Sequence, residues 1–264
     1  MMPKPRKLGG IWRYRFCGYP GVFSDGSCNP ENLATIGEKG AIIGRMNKII
    51  RADCVRFMKK MGDGVVEFSF ADPPYNVGYG YEGYEDERVD YREWCKEWFG
   101  ELRRVTSGVV CVTPGTVNFL DWVEMERPSG VISWTKPYAN SWNTLGRPNG
   151  ACAWEPVLVY GKSKYLVKSD WIEASLDHGE GLSHPCPKPM KLLKQLIIGF
   201  SGVGGQVFDP FCGSGKIAVA CKILGREFVG TEIVGKYVRE ARGLVEKAER
   251  QTSFGQMEMN VHQK

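Results

Sequence analysis

Gly205-Gln206-Val207-Phe208-Asp209-Pro210-Phe211-Cys212-Gly213-Ser214-Gly215 decides the fold. A short apolar run ends in an acid, a glycine-flanked turn follows, and Ile217-Ala218-Val219-Ala220-Cys221-Lys222-Ile223-Leu224 then reads as an apolar helix. Strand, glycine turn and helix make the first crossover of a nucleotide-binding α/β fold, where glycines let the backbone come close to a ligand. A Gly-x-Gly alone marks only a tight turn; here the strand and the helix are both in place. Glu227-Phe228-Val229-Gly230-Thr231 reads as the next strand and ends at Glu232, where such folds set an acid against ribose hydroxyls.

Outward from this core, the run Val65 to Ala71 ends at Asp72-Pro73-Pro74-Tyr75. By itself that tetrapeptide is a strand-ending turn, which Asp and Pro favour. Asn47 to Ala52 reads as another strand, ending at Asp53, with a helix over Cys54 to Met61. Residues 76–90 mix Gly and Tyr with Glu82, Glu85, Asp86, Glu87 and Asp90, too acidic to cradle phosphate, and read as a mobile flap. Tyr91 to Arg104 is a helix whose Trp94, Trp98 and Leu102 form one core-facing stripe. Gly108 to Thr113, Val131 to Trp134 and Trp154 to Tyr160 are buried strands, Pro156 placing the last at an edge or an irregularity. Residues 161–183 read as polar connecting chain, Met190 to Phe200 as an amphipathic helix, and Gly235 to about Arg250 as a charged closing helix. Three segments result: an N-terminal extension over 1–45, an α/β domain over 46–250 and a polar tail over 251–264.

At 264 residues the chain can bury one sizeable core, and its 42% hydrophobic and 25% charged residues are those of an ordinary globular protein. The net charge of +5 suits a nucleic-acid partner without requiring one. No apolar stretch would span a bilayer and the N-terminus lacks a signal-peptide core, so the expectation is no membrane and a cytoplasmic location. Nine cysteines without a Cys-x-x-Cys pair, Cys111 and Cys221 among them in apolar runs, read as buried thiols in a reducing compartment. His184-Pro185-Cys186 has no partner spacing among only three histidines, so no metal site is expected. Lys4, Arg6, Lys7, Arg13 and Arg15 precede the first acid, Asp25, and interleave with Trp12, Tyr14, Phe16, Tyr19 and Phe23. This is the composition of a nucleic-acid arm, and equally of an extension that packs its aromatics on the domain; both readings stay open.

The blocks in their order resemble the beta-class S-adenosylmethionine-dependent amino-methyltransferases of DNA. The resemblance runs from about Asn47 to Arg250 through Asp53, Asp72–Tyr75, Trp134-Thr135-Lys136-Pro137, Glu155, His184-Pro185-Cys186-Pro187-Lys188-Pro189, Asp209–Gly215 and Glu232. It implies a Rossmann-like α/β methyltransferase domain. Its twisted, mainly parallel sheet would have about seven strands, one antiparallel hairpin strand and helices on both faces. The motif order is permuted, with the Asp72 half first. The implied activity is methyl transfer from S-adenosyl-L-methionine to adenine N6 of a flipped-out base at a specific DNA site. The alternatives are cytosine N4, and a non-catalytic cofactor-binding protein that holds nucleic acid. Asp72 favours adenine, because the cytosine subgroup more often has serine there; a lost Asp72 or Tyr75 would mark the non-catalytic protein, and both are present.

That chemistry gives each residue a reason. The adenine amino lone pair is delocalised into the ring; the Asp72 carboxylate and the Pro73 carbonyl would accept both amino protons and turn the lone pair toward the methyl group. Pro73 and Pro74 stiffen the turn and remove competing donors, and Tyr75 offers a face for the base. By the resemblance, Asp209, Phe211, Gly213, Ser214 and Gly215 line the amino-acid part of the cofactor, Glu232 holds its ribose, and Asp53 faces its adenine. His184, Pro185 and Lys188 cover the methionine end, beside Asp72. Arg13, Arg15, Lys136 and Arg147 are the candidate DNA phosphate contacts. A homodimer and a cognate restriction endonuclease are partners the family leaves room for. The chain departs from the family pattern in lacking a large insert before His184, in its acidic flap and in its basic arm.

Overall fold

The computed structural model describes residues 46–137, 153–165, 169–176 and 187–261, and four short strands ahead of them. Those four, β1 (Arg6–Leu8), β2 (Ile11–Arg13), β3 (Thr35–Ile36) and β4 (Ile42–Ile43), pair in that order as a small antiparallel sheet.

The main chain path runs β5 (Lys48–Arg51), α1 (Cys54–Met58), β6 (Val66–Ala71), the hairpin β7 (Gly80–Tyr81) and β8 (Tyr84–Glu85), α2 (Tyr91–Val105), β9 (Thr106–Val112) and α3 (Phe119–Met125). It continues through β10 (Gly130–Thr135), β11 (Trp154–Gly161), β12 (Trp171–Glu173), α4 (Met190–Phe200), β13 (Gln206–Asp209), α5 (Lys216–Leu224), β14 (Glu227–Glu232) and α6 (Gly235–Val261). Eight strands form one sheet in the order β12-β10-β11-β9-β6-β13-β14-β5. Every pairing is parallel except those of β11, which is antiparallel to β10 and to β9.

Both faces of the sheet are buried, and the alternation of side chains explains how. In β9, Val109 and Cys111 face a core shared with α4, α5 and α6, while Val110 and Val112 face a core shared with α1, α2 and α3. β11 does the same with Val157 and Val159 against Leu158 and Tyr160. Runs that look continuously apolar in the sequence are therefore two interleaved faces. Trp98 and Leu102 are fully buried on α2, the core stripe expected of them. Cys111 and Cys221 are buried free thiols, also as expected.

Four expectations are refined or changed. Of the two positions read for Pro156, edge or irregular, the irregular one holds: it lies in an interior strand, where its missing donor costs nothing. Ser133, its partner on β10, donates outward to the Asp170 carbonyl at 2.7 Å, and the pairing of β11 with β9 begins only at Leu158. The connecting chain contains β12, a three-residue edge strand too short for its period to show, which brings the sheet to eight strands. The short helix α3 has no counterpart in the sequence reading. The last helix continues past residue 250 to Val261, over residues read as a polar tail.

The permuted order has a consequence for the site. From β6 the chain moves outward to β9, and from β13 it moves the other way to β14, so the two central strands diverge in their connections. A crevice forms outside the carboxyl ends of strands at such a switch point. Those ends carry, in spatial order, Thr113 after β9, Asp72 after β6, Asp209 closing β13, Glu232 closing β14 and Asp53 after β5.

Candidate active site

Asp72 follows β6 directly and its carboxylate is held from several sides. Oδ1 accepts from Thr113 Oγ1 at 2.6 Å and from the Tyr75 hydroxyl at 2.9 Å. The ammonium of Lys188 stands 2.7 Å from the same carboxylate and 3.1 Å from the Tyr75 hydroxyl. The Lys188 and Asp72 side chains are only 10% and 18% exposed, so this is a buried ion pair rather than a surface one.

The rest of the turn is clamped as well. The Pro74 carbonyl accepts from the Tyr91 hydroxyl at 2.9 Å and the Tyr75 carbonyl from Asn118 Nδ2 at 2.8 Å. Among the described residues no donor reaches the carbonyl of Pro73. Gly115, at φ 63°, lies against the Tyr75 ring so closely that a Cβ there would sit 2.8 Å from two ring carbons. Glycine is required at that position both for its backbone and for the ring beside it. Burial, with the negative charges of Asp72 and Glu155, pushes the Tyr75 phenol well up, so it stays a protonated donor at neutral pH.

On the neighbouring strand, Asp209 is 4% exposed and its Oδ1 accepts from Phe211 N at 3.0 Å. Burial, and then the charges of Asp72 and Glu232, raise its carboxyl well above the usual range. Glu232 accepts from Gly213 N at 2.9 Å and from Val234 N at 2.8 Å, and burial pushes it up too. The glycine turn between them has Gly213 at φ 47° and Gly215 at φ 78°, both in the left-handed region. Gly215 is also pressed on α6, where a Cβ would meet that of Ala241 at 2.6 Å. Ser214 is buried in the same turn, and Phe211 packs edge-on against Trp94 and Trp98 at 5.7 and 5.0 Å. The tryptophan stripe thus supports the site from below.

The fold therefore brings together Asp72, Pro73, Pro74, Tyr75, Lys188, Asp209, Phe211, Gly213, Ser214, Gly215 and Glu232. Asp53 stands farther along the strand ends and caps α1, accepting from Arg56 N at 2.9 Å. Lys136 needs a correction: its ammonium is buried in an ion pair with Glu155 and lies 4.7 Å from the Trp134 ring, so it is not an exposed phosphate contact. Arg15, Arg147, His184 and Pro185 lie outside the described residues, as does the side chain of Arg13. The acidic flap is a tied hairpin. Asp86 is buried and accepts from the N–H groups of Asn76, Val77 and Tyr79 at 2.8, 3.1 and 3.2 Å. At its tip Glu82 pairs with Lys236 of α6. Thr113, Gly115, Asn118 and Tyr91 were not singled out from the sequence. The one available signal was Thr113, a polar residue closing an apolar run in the manner of Asp72 and Asp209.

A family model described as DNA methylase, that of the N6/N4 methyltransferases, matches residues 66–183 and 168–243. The chain belongs to this N6/N4 DNA methylase family. Among curated relatives, the DNA adenine methyltransferase YhdJ of Escherichia coli (strain K12) is 27% identical over 72% of this chain and 80% of its own. The type II methyltransferase M.HpaI of Haemophilus parainfluenzae is 25% identical over 74% and 73%. Among solved structures, M1.HpyAVI in complex with SAM superposes with a TM-score of 0.58 at 23% identity, over 75% of this chain and 98% of that one. The cytosine-N4-specific PvuII DNA methyltransferase gives a TM-score of 0.61 at 15% identity, over 76% and 89%. At these identities the two solved structures share the fold, and the Rossmann-like architecture read from the glycine loop is borne out.

Proposed function

We propose that this DNA methylase transfers a methyl group from S-adenosyl-L-methionine to the N6 amino group of a flipped-out adenine in DNA. The observation that carries this reading is the state of the Asp72 turn. The carbonyls of Pro74 and Tyr75 are occupied, whereas that of Pro73, next to the anchored Asp72 carboxylate, has no donor among the described residues. A carboxylate and a carbonyl side by side suit the two protons of an exocyclic amino group. Acceptance of both protons returns electron density to the nitrogen and orients it, which is the alignment that direct displacement at a sulfonium methyl group needs. The one proton that must leave after transfer faces an acceptor already in place.

The cofactor assignment is supported by charge. Asp72, Asp209 and Glu232 gather at one crevice; Lys188 pairs with Asp72, whereas Asp209 and Glu232 have no ion pair among the described residues, which favours a ligand carrying positive charge. S-adenosylmethionine has a sulfonium and an ammonium. Its ribose hydroxyls would take over Glu232, whose oxygens now accept from backbone N–H groups. Gly213 and Gly215 allow the chain to come close to the cofactor, and by the family resemblance His184 and Pro185 would cover its methionine end. Phosphate contacts fall to Arg13, Arg15 and Arg147.

The second reading, cytosine N4, has support in the likeness to the PvuII enzyme. Asp72 is the residue that favours adenine. Transfer of a radiolabelled methyl group onto DNA, RNA and protein, followed by nucleoside analysis, tests both. N6-methyladenine is expected; N4-methylcytosine would replace the adenine reading, and label in RNA or protein alone would refute DNA as the substrate.

A further inference from the structure

From the buried ion pair between Lys188 and Asp72 we infer that Lys188 is a positioning residue of the catalytic turn, fixing the Asp72 carboxylate for the target amino group, and not a ligand of the cofactor. The sequence placed Lys188 over the methionine end, among cofactor contacts. In the structure its ammonium reaches two catalytic side chains, the Asp72 carboxylate at 2.7 Å and the Tyr75 hydroxyl at 3.1 Å. The cation also lies 5.4 Å from the Tyr75 ring centre and 5.9 Å from that of Trp134, so aromatic surfaces flank the route it would take away.

The groups around it form a row. Beyond Trp134 stands Lys136, 4.7 Å from the same indole, paired in turn with Glu155. Trp134 is itself pinned, its Nε1 donating to the Ala174 carbonyl at 2.8 Å. The Asp72 end is fixed by Thr113, Tyr75 and Lys188 together, three donors on one carboxylate. A carboxylate so saturated has few orientations left. An incoming amino group then shares a carboxylate already aimed, which lowers the cost of alignment in the step that limits this chemistry.

The inference rests on the amino-methylation reading, and a double-mutant cycle separates the two. Wild type, Lys188→Met, Asp72→Asn and the double variant are compared in single-turnover methyl transfer to DNA at saturating cofactor. Cofactor affinity is measured by calorimetry, and unfolding in urea on the same four proteins. The expected result is a fall of about thirtyfold in transfer for Lys188→Met with cofactor affinity kept within about threefold, and a double variant no slower than Asp72→Asn, because the lysine acts through the aspartate. Lys188→Arg should recover most of the loss. Loss of cofactor affinity in Lys188→Met, with or without a slower saturated rate, would make the lysine a cofactor ligand and overturn the proposal; so would additive losses in the double variant, or no loss at all. If wild type methylates no DNA, the amino-methylation reading fails by itself. Urea and calorimetry then still decide the pairing: non-additive destabilisation with cofactor affinity kept supports it, and additivity or lost affinity overturns it. Should Lys188→Met fail to fold, Lys188→Gln with and without Asp72→Asn carries the same comparison.

Discussion

The two halves of the crevice are built on opposite plans. At the end of β6, the carboxylate of Asp72 meets a cation and two hydroxyl donors. At the ends of β13 and β14, Asp209 and Glu232 receive backbone N–H groups, with no ion pair among the described residues, and burial raises both. The first half is complete before any ligand arrives. The second carries an electrostatic cost that a cationic ligand would remove. On the proposed reading, catalytic geometry is set in advance, while binding energy is kept for the cofactor.

Removing the acceptor of the finished half should have the largest effect. Asp72→Ala is expected to lower turnover at least about a hundredfold while cofactor affinity stays within a few-fold, since the contact matters chiefly as the nitrogen attacks. Near-normal turnover, or a parallel loss of cofactor affinity, would erase the distinction between the halves.

Asp209→Asn probes the unfinished half, and its two effects should have opposite signs. A carboxyl whose folded pKa is raised binds its proton more tightly folded than unfolded. The fold therefore loses stability as pH climbs from the unfolded value of about 3.8 through the raised one. The amide removes that loss and can still accept from Phe211 N. The variant should melt higher than wild type at neutral pH, with the gap closing in acid. Its affinity for cofactor should fall about tenfold, and the rise of wild-type affinity with pH should flatten. A lower melting point across the whole range would show that the Asp209 charge is already compensated.

Thr113→Val tests how far the finished half depends on one hydroxyl. Thr113 is fully buried and gives the shortest contact to Asp72, but Tyr75 and Lys188 remain when it is lost. A drop of severalfold in turnover is expected, equivalent to about 1 kcal/mol, the net worth of one such hydrogen bond. A loss matching that of Asp72→Ala would make the threonine, not the ion pair, the main anchor.

The core of this protein follows from local sequence chemistry. Asp72 and Asp209 each end an apolar run, and Gly213 and Gly215 precede an apolar helix, so strand ends, turn and fold class follow from local chemistry. Strand alternation and the glycine turn act within a few residues, which is why they show in one dimension. The remainder lies in pairings across long separations. β13 is inserted beside β6, which brings Asp209 next to Asp72; Lys188 arrives from before α4 to hold Asp72; Lys136 turns inward to Glu155 instead of outward to phosphate. Pro156 reads as an edge or an irregularity because a missing donor shows in the sequence, while the end of the neighbouring pairing, which decides between them, does not. A lysine reads the same whether it faces solvent or a buried carboxylate. Which it meets is settled by the packing that removes it from water, where an unpaired charge is too costly to keep.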